Sequence, residues 1–149
     1  MQDIKIKKIL PHRYPFIFID KVEEVDLKNK KIICKKKFSI SEYFFKGHFP
    51  QNPVAPGVLL IESMAQSAII LYASIYPEIA KLKPDYYLGK VSAKFLNPVK
   101  IGDVLKIEVK MIKSLKNAGI VEAECFVEDK KVCEGVLSFG VKVNSTSTT

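Results

Sequence analysis

The 149-residue chain predicts an α+β fold, one long buried helix wrapped by a curved antiparallel sheet of about six strands. Three observations lead there. The stretch from Val58 to Tyr76 is nearly all apolar and long enough for five helical turns or so. The second half alternates apolar and polar residues with the period of two that belongs to half-buried strands. Clusters of Gly, Asn, Asp and Pro separate those runs at turn-like spacing.

Taken in order, Asp3–Leu10 has apolar residues at Ile4, Ile6, Ile9 and Leu10, enough for a short amphipathic helix that Pro11 ends. Phe16–Val25, rich in Phe, Ile and Val, reads as a strand. Lys31–Phe38 reads as a second, with a turn at Leu27–Lys30 between them. Ser39–Gly57 is loop-like, holding Gly47, Pro50, Pro53, Pro56 and Gly57. The helix Val58–Tyr76 follows with Gly57 at its boundary, and its apolar character on every face requires protein around it.

Tyr86–Leu96 is the next strand, closed by Pro98 and Gly102-Asp103. Leu105, Ile107, Val109 and Met111 then alternate with Lys106, Glu108 and Lys110. A turn at Asn117-Ala118-Gly119 leads to Val121–Val127, and Glu128-Asp129-Lys130 turns into a last strand over Val132–Val143. The pattern predicts an antiparallel meander in a single domain, 1–143, with an edge that dimerisation can cover. The polar tail 144–149 is expected to be disordered.

Composition narrows the function. Cys34, Cys125 and Cys133 are odd in number and lack a CxxC spacing, which favours reduced buried thiols over a zinc site. The N-terminus has no apolar targeting region, so a cytoplasmic location is expected. The net charge of +8 points to an acidic partner. Arg13 is the only arginine, which argues against nucleic acid, and a small acidic protein fits at least as well. The apolar stretch is near the minimum for a membrane span, but Glu62 and Gln66 lie inside it and Pro77 ends it, so no span is expected.

Glu62 is the one carboxylate in that apolar helix, and it follows shortly after Gly47-His48-Phe49-Pro50. A charge taken from water without a partner is costly and favours its neutral form. A neutral acid beside a histidine pairs a proton donor with an acceptor. A loop histidine can equally be structural, and His12 is the rival base, although its Leu10–Pro15 turn has no comparable acid nearby. Gln66, four residues after Glu62, shares its helix face and can orient the carboxyl; a polar pair at a dimer seam is the plainer reading. The helix start at Gly57-Val58 offers unpaired N–H groups able to polarise a carbonyl. With no nucleophile elbow, phosphate loop, metal-ligand cluster or dinucleotide fingerprint, the residues alone reach acid/base chemistry on an acyl substrate.

Motifs along nearly the whole chain go further. Leu10–Phe16, Phe45–Pro50, Pro53–Val58, Ile61–Gln66, Lys94-Phe95, Pro98-Val99 and Gly102-Asp103 stand in the order of, and resemble, the 3-hydroxyacyl-acyl carrier protein dehydratases of bacterial fatty acid synthesis. The resemblance implies a hot-dog fold and a homodimer with its sites at the subunit interface, commonly assembled into a hexamer. It implies His48 as catalytic base, Glu62 of the partner chain as acid, and N–H groups near Gly57-Val58 on the thioester oxygen. The reaction so implied converts a (3R)-hydroxyacyl thioester into a trans-2-enoyl thioester and water, without cofactor or metal. Phe49, Val58, Tyr86 and Tyr87 are candidates for the acyl tunnel, with plain core packing the alternative for each. The acyl carrier protein is the acidic partner, for which Arg13, Lys90, Lys94 and Lys100 are the docking candidates. A hot-dog thioesterase and a dehydratase with added isomerase activity are the competing activities; a basic scaffold is the competing non-enzyme.

Overall fold

The computed structural model describes residues 6–39, 41–46 and 54–144. Of the expected elements, His48, Phe49, the first residues of the amphipathic helix and most of the polar tail lie outside them. Helix α1 spans Ile6–Ile9, and Pro11 follows two residues later. Strands β1 (Lys21–Asp26) and β2 (Lys31–Lys37) form a hairpin whose turn falls at Leu27–Lys30, where Lys30 takes a positive φ of 55°. A 3₁₀ turn at Tyr43–Lys46 seats Phe44 and Phe45 in the core. Helix α2 spans Gly57–Ile75, and α3, Pro77–Ala80, begins on the proline that cannot continue α2.

Strands β3 (Asp85–Phe95), β4 (Val104–Leu115), β5 (Ala118–Val127) and β6 (Lys130–Lys142) complete a six-stranded sheet in the order β1-β2-β4-β5-β6-β3. Every pairing is antiparallel. The expected simple meander holds for β4-β5-β6 only. Because α2 intervenes between β2 and β3, the chain crosses the sheet, and β3 becomes the far edge beside β6. The turn expected at residues 117–119 is tighter, Lys116-Asn117, so Ala118 and Gly119 already belong to β5.

The sheet wraps α2, which packs chiefly on β4 and then on β2 and β5. Leu105, Ile107, Val109 and Met111 of β4 face the helix, and Val121, Ala123 and Cys125 of β5 continue the same layer. On the helix side Leu60, Met64, Ile70, Leu71 and Tyr72 fill the core, with the Tyr72 hydroxyl donating to the Leu115 carbonyl at 2.9 Å. By length and composition α2 could cross a membrane, but 61% of its apolar window is buried among these residues, which makes it the core helix. Its first turn is less covered: Val58 is 70% exposed.

One expected strand is displaced. Phe16–Val25 is strand only from Lys21 onward. Phe18 and Ile19 are adjacent and both buried, which a strand with one covered face does not allow. Their segment instead lies along α2 and takes its hydrogen bonds from helix side chains. The Phe18 N–H donates to Gln66 Oε1 at 2.9 Å, the Ser63 hydroxyl to the Phe18 carbonyl at 2.9 Å, and Gln66 Nε2 to the Phe16 carbonyl at 3.0 Å.

All three cysteines are free and buried. Burial pushes the Cys34 thiol up to about 12. Cys125 is raised by donating a hydrogen bond to the Cys133 sulfur and then by burial. Cys34 and Cys125 therefore stay protonated, while Cys133, which accepts that hydrogen bond, is shifted down and is kept from reagents by its burial alone. At pH 8 the native protein should therefore react slowly with a thiol reagent, and all three cysteines should titrate only after denaturation. Rapid modification of the native protein, followed spectrophotometrically, would contradict this packing.

Candidate active site

Glu62 sits in the second turn of α2, and the segment laid against that helix brings His12 to it. His12 Nε2 lies 3.4 Å from Glu62 Oε2. This corrects the expectation that His12 has no acid nearby: the acid is 50 residues away in sequence, and the Phe16–Phe18 hydrogen bonds to α2 deliver the turn to it. Gln66 Nε2 donates to the same Glu62 oxygen at 3.0 Å. Glu62 is less buried than its apolar helix implies, with 24% of its side chain exposed. Among the described residues Oε2 carries both contacts, which leaves Oε1 turned to a ligand or to water.

The turn that carries His12 is braced by Arg13. Its guanidinium donates to the carbonyls of Leu10 at 2.9 Å, His12 at 2.7 Å and Lys7 at 3.2 Å. The only arginine is thus committed to backbone acceptors. The Lys83 ammonium reaches the Lys8 carbonyl at 3.5 Å, which gathers Lys7, Lys8, Arg13 and Lys83 around α1. The other docking candidates stand apart. Lys90 and Lys94 are exposed on β3, where Lys94 lies opposite Glu134 of β6, and Lys100 is exposed beside the bridge to Val54.

His12 and Glu62 line a cavity of about 120 Å³ with Ala65, Ala68, Tyr86 and Tyr87. Two small residues on one face of α2 open this space between the helix and β3. Tyr86 stands edge-on to Tyr72 at 6.3 Å, and burial raises its pKa, so its hydroxyl stays neutral. The Tyr87 ring lies over Gly140, where any side chain would collide with it, and remains 58% exposed. The cavity is smaller than the 300–1,000 Å³ or so typical of small-molecule sites.

Gly57 and Val58 do not line it. Gly57 instead lines a separate open cleft of about 400 Å³ with Val54 and Phe95, while Val58 is exposed. The Phe95 ring comes within 2.8 Å of where a Gly57 Cβ would stand, so the close approach that glycine allows is used by a ring of the same chain. The sequence assigns no site role to Ser63, Ala65, Ala68 or Phe95, although all but Ala68 stand within its motifs. Ala65 and Ala68 were legible in principle, as small residues at i+3 and i+6 from Glu62.

One antiparallel sheet wrapped about one helix, with an acid on that helix facing an apolar cavity, defines a hot-dog-fold protein with acid/base equipment. Residues 10–136 match the FabA-like domain, and the chain belongs to that family. The 3-hydroxyacyl-acyl-carrier-protein dehydratase FabZ of Pediococcus pentosaceus is 47% identical over 136 residues, 91% of this chain and 89% of that protein. The protein of the same description from Ligilactobacillus salivarius is 45% identical over 140 residues, 93% of this chain and 98% of its own length. Among solved structures, a chain of the dehydratase heterocomplex ApeI:P from Xenorhabdus doucetiae superposes with a TM-score of 0.79 at 20% identity, covering 99% of this chain and 96% of that one. That last likeness concerns the fold.

The Gln66 amide has a consequence for stability. Replacing it by leucine removes the partners of two backbone groups, of which the Phe18 N–H is buried. Gln66→Leu should lose about 2–4 kcal/mol in urea denaturation, with an unchanged m-value. A variant as stable as wild type would mean that the Phe16–Phe18 segment is held by other contacts.

Proposed function

We propose that the protein dehydrates (3R)-hydroxyacyl-acyl carrier protein to the trans-2-enoyl thioester in fatty acid synthesis. The observation that carries this reading is Glu62, the single acid of the core helix, facing an apolar cavity in a chain whose relatives are named for that reaction. His48 removes the C2 proton, the C2–H electron pair becomes the C2–C3 double bond, and the C3–O bond breaks. Glu62 gives its proton to the departing hydroxyl, which leaves as water. N–H groups of the Gly57-Val58 helix start hold the thioester oxygen, where negative charge develops. The reaction needs neither metal nor cofactor, because proton transfer and charge stabilisation account for every bond.

The site is completed by a second copy of the chain. Three features support that reading: the Glu62 cavity is small, the Gly57 helix start opens on a different cleft, and β3 is a free sheet edge. Tyr87 and Phe95 on that edge, at 58% and 51% exposure, and Val58 beside it form the apolar surface a homodimer would cover. The acyl chain then runs between α2 and β3 past Tyr86 and Tyr87, with Phe49 and Val58 as further wall residues. Three such dimers assemble into a hexamer. The carrier protein docks through Lys90, Lys94 and Lys100, with Arg13 adding charge while its donors stay on the backbone.

Mass spectrometry of a (3R)-hydroxyacyl-carrier protein after incubation tests the activity. Wild type should remove one water, while His48→Ala and Glu62→Gln should each slow the reaction by about 10²–10⁴-fold. Release of the free acid would show a thioesterase instead. A mixture of the two inactive variants should recover about a quarter of wild-type activity, because half the pairs are mixed and each carries one intact site. No recovery after subunit exchange would place both groups in one chain. Docking by charge has its own signature: turnover of carrier-protein substrate should fall with salt more steeply than turnover of a short thioester mimic. Equal slopes would remove the lysines from recognition.

A further inference from the structure

We infer that His12 is a positioning residue for Glu62, holding the carboxyl so that one oxygen is fixed and the other is free for the substrate hydroxyl. The inference rests on the reading of Glu62 as the acid. Its first support is geometric: His12 Nε2 and Gln66 Nε2 converge on the same oxygen, Oε2, at 3.4 Å and 3.0 Å. Gln66 donates a hydrogen bond to that oxygen and the His12 imidazole stands within ion-pair range of it, so two elements restrict a carboxyl that one contact alone would leave freer to rotate. The Gln66 amide has only one hydrogen to spare for this, since its other donates to Phe16 and its oxygen accepts from Phe18.

The second support is the imidazole's other nitrogen. His12 Nδ1 is buried and has no hydrogen-bond partner among the described residues. A histidine kept for stability alone would have both nitrogens satisfied, because an unmade hydrogen bond to a buried group costs free energy. The tautomer that leaves the acceptor unpaired and turns N–H toward Glu62 is the cheaper of the two.

The third support is how the turn is held. Arg13 clamps the carbonyls of Leu10, His12 and Lys7, and Phe16 stacks beside the imidazole with ring centroids 6.2 Å apart. The ring is thus presented by a braced backbone. His12, Glu62 and Gln66 all belong to one chain, so the arrangement exists before any subunit pairing and moves with Glu62 into whichever site that residue serves.

The test separates a role exerted through Glu62 from a structural one. His12→Phe keeps the ring volume and removes the donor; His12→Gln places an amide near the position of Nε2. On the hydroxyacyl-carrier protein, His12→Phe should lower kcat by about tenfold to a hundredfold with little change in KM. His12→Gln should restore most of that loss. In the Glu62→Gln background, measured in single turnover, His12→Phe should cost nothing further, since the group it positions is already disabled. Full activity of His12→Phe, or an equal loss in both backgrounds, would overturn the inference. If His12→Phe does not fold, His12→Asn takes its place, because its shorter amide sits near Nδ1 and does not reach Oε2. A near-native Glu62→Gln would instead remove the acid itself, a different failure with a different signature.

Discussion

One buried amide ties the molecule's working parts together. Gln66 is fully buried on the core helix and is paired on every side that has been described. Its oxygen and one hydrogen do for Phe16–Phe18 what a neighbouring strand would do, which lets that segment run over the helix without leaving polar backbone unpaired. Its remaining hydrogen goes to Glu62. The chain N-terminal to β1, the turn with His12 and the candidate acid are thereby fixed relative to one another. A hydrophobic residue at 66 could fill the volume, but not join those three parts.

The sheet supplies the other half of the constraint. A crossover after β2 sends β3 to the far edge, and the face of α2 that carries Glu62, Ala65 and Ala68 meets that edge rather than the middle of the sheet. An edge strand can separate slightly from the helix or accept a neighbour without breaking the core, whereas β4 cannot, being paired on both sides. Space for a ligand arises where the packing is least constrained. The core beneath β4 and β5 stays closed, and the cost of the opening is confined to a few apolar side chains at the rim.

Much of this was legible in the sequence. The limits of α2 follow from its apolar run, Gly57 and Pro77, and the alternation from Leu105 to Met111 fixes which face of β4 is inward. Glu62 and Gln66 stand out as polar residues in an apolar helix, and their spacing alone brings them together. The misreadings share a cause. Phe16–Ile19 has strand-like composition, but its hydrogen-bond partners are side chains 45 or more residues away, which no local pattern encodes. The same long-range contact delivers His12 to Glu62, so one missed packing arrangement hid the other. The strand order was hidden too, because alternation tells which face is buried and says nothing about which strand lies alongside.

Charge is unevenly distributed over the described residues. On the outer face of the sheet Glu108, Glu124 and Glu134 stand opposite one another on three successive strands, an arrangement that repels on its own. Lys131 lies between Glu124 and Glu134, Lys106 beside Glu108, and Lys94 across from Glu134, which turns the row into a neutral ladder. The positive excess therefore lies elsewhere. One share of it gathers around α1, where Lys7, Lys8, Arg13 and Lys83 adjoin the turn that presents His12 to the cavity. The positive cluster thus lies beside the turn that carries His12, whereas the row across β4, β5 and β6 is balanced. A concentration of positive charge and the histidine turn beside Glu62 are thus brought together at one end of the core helix.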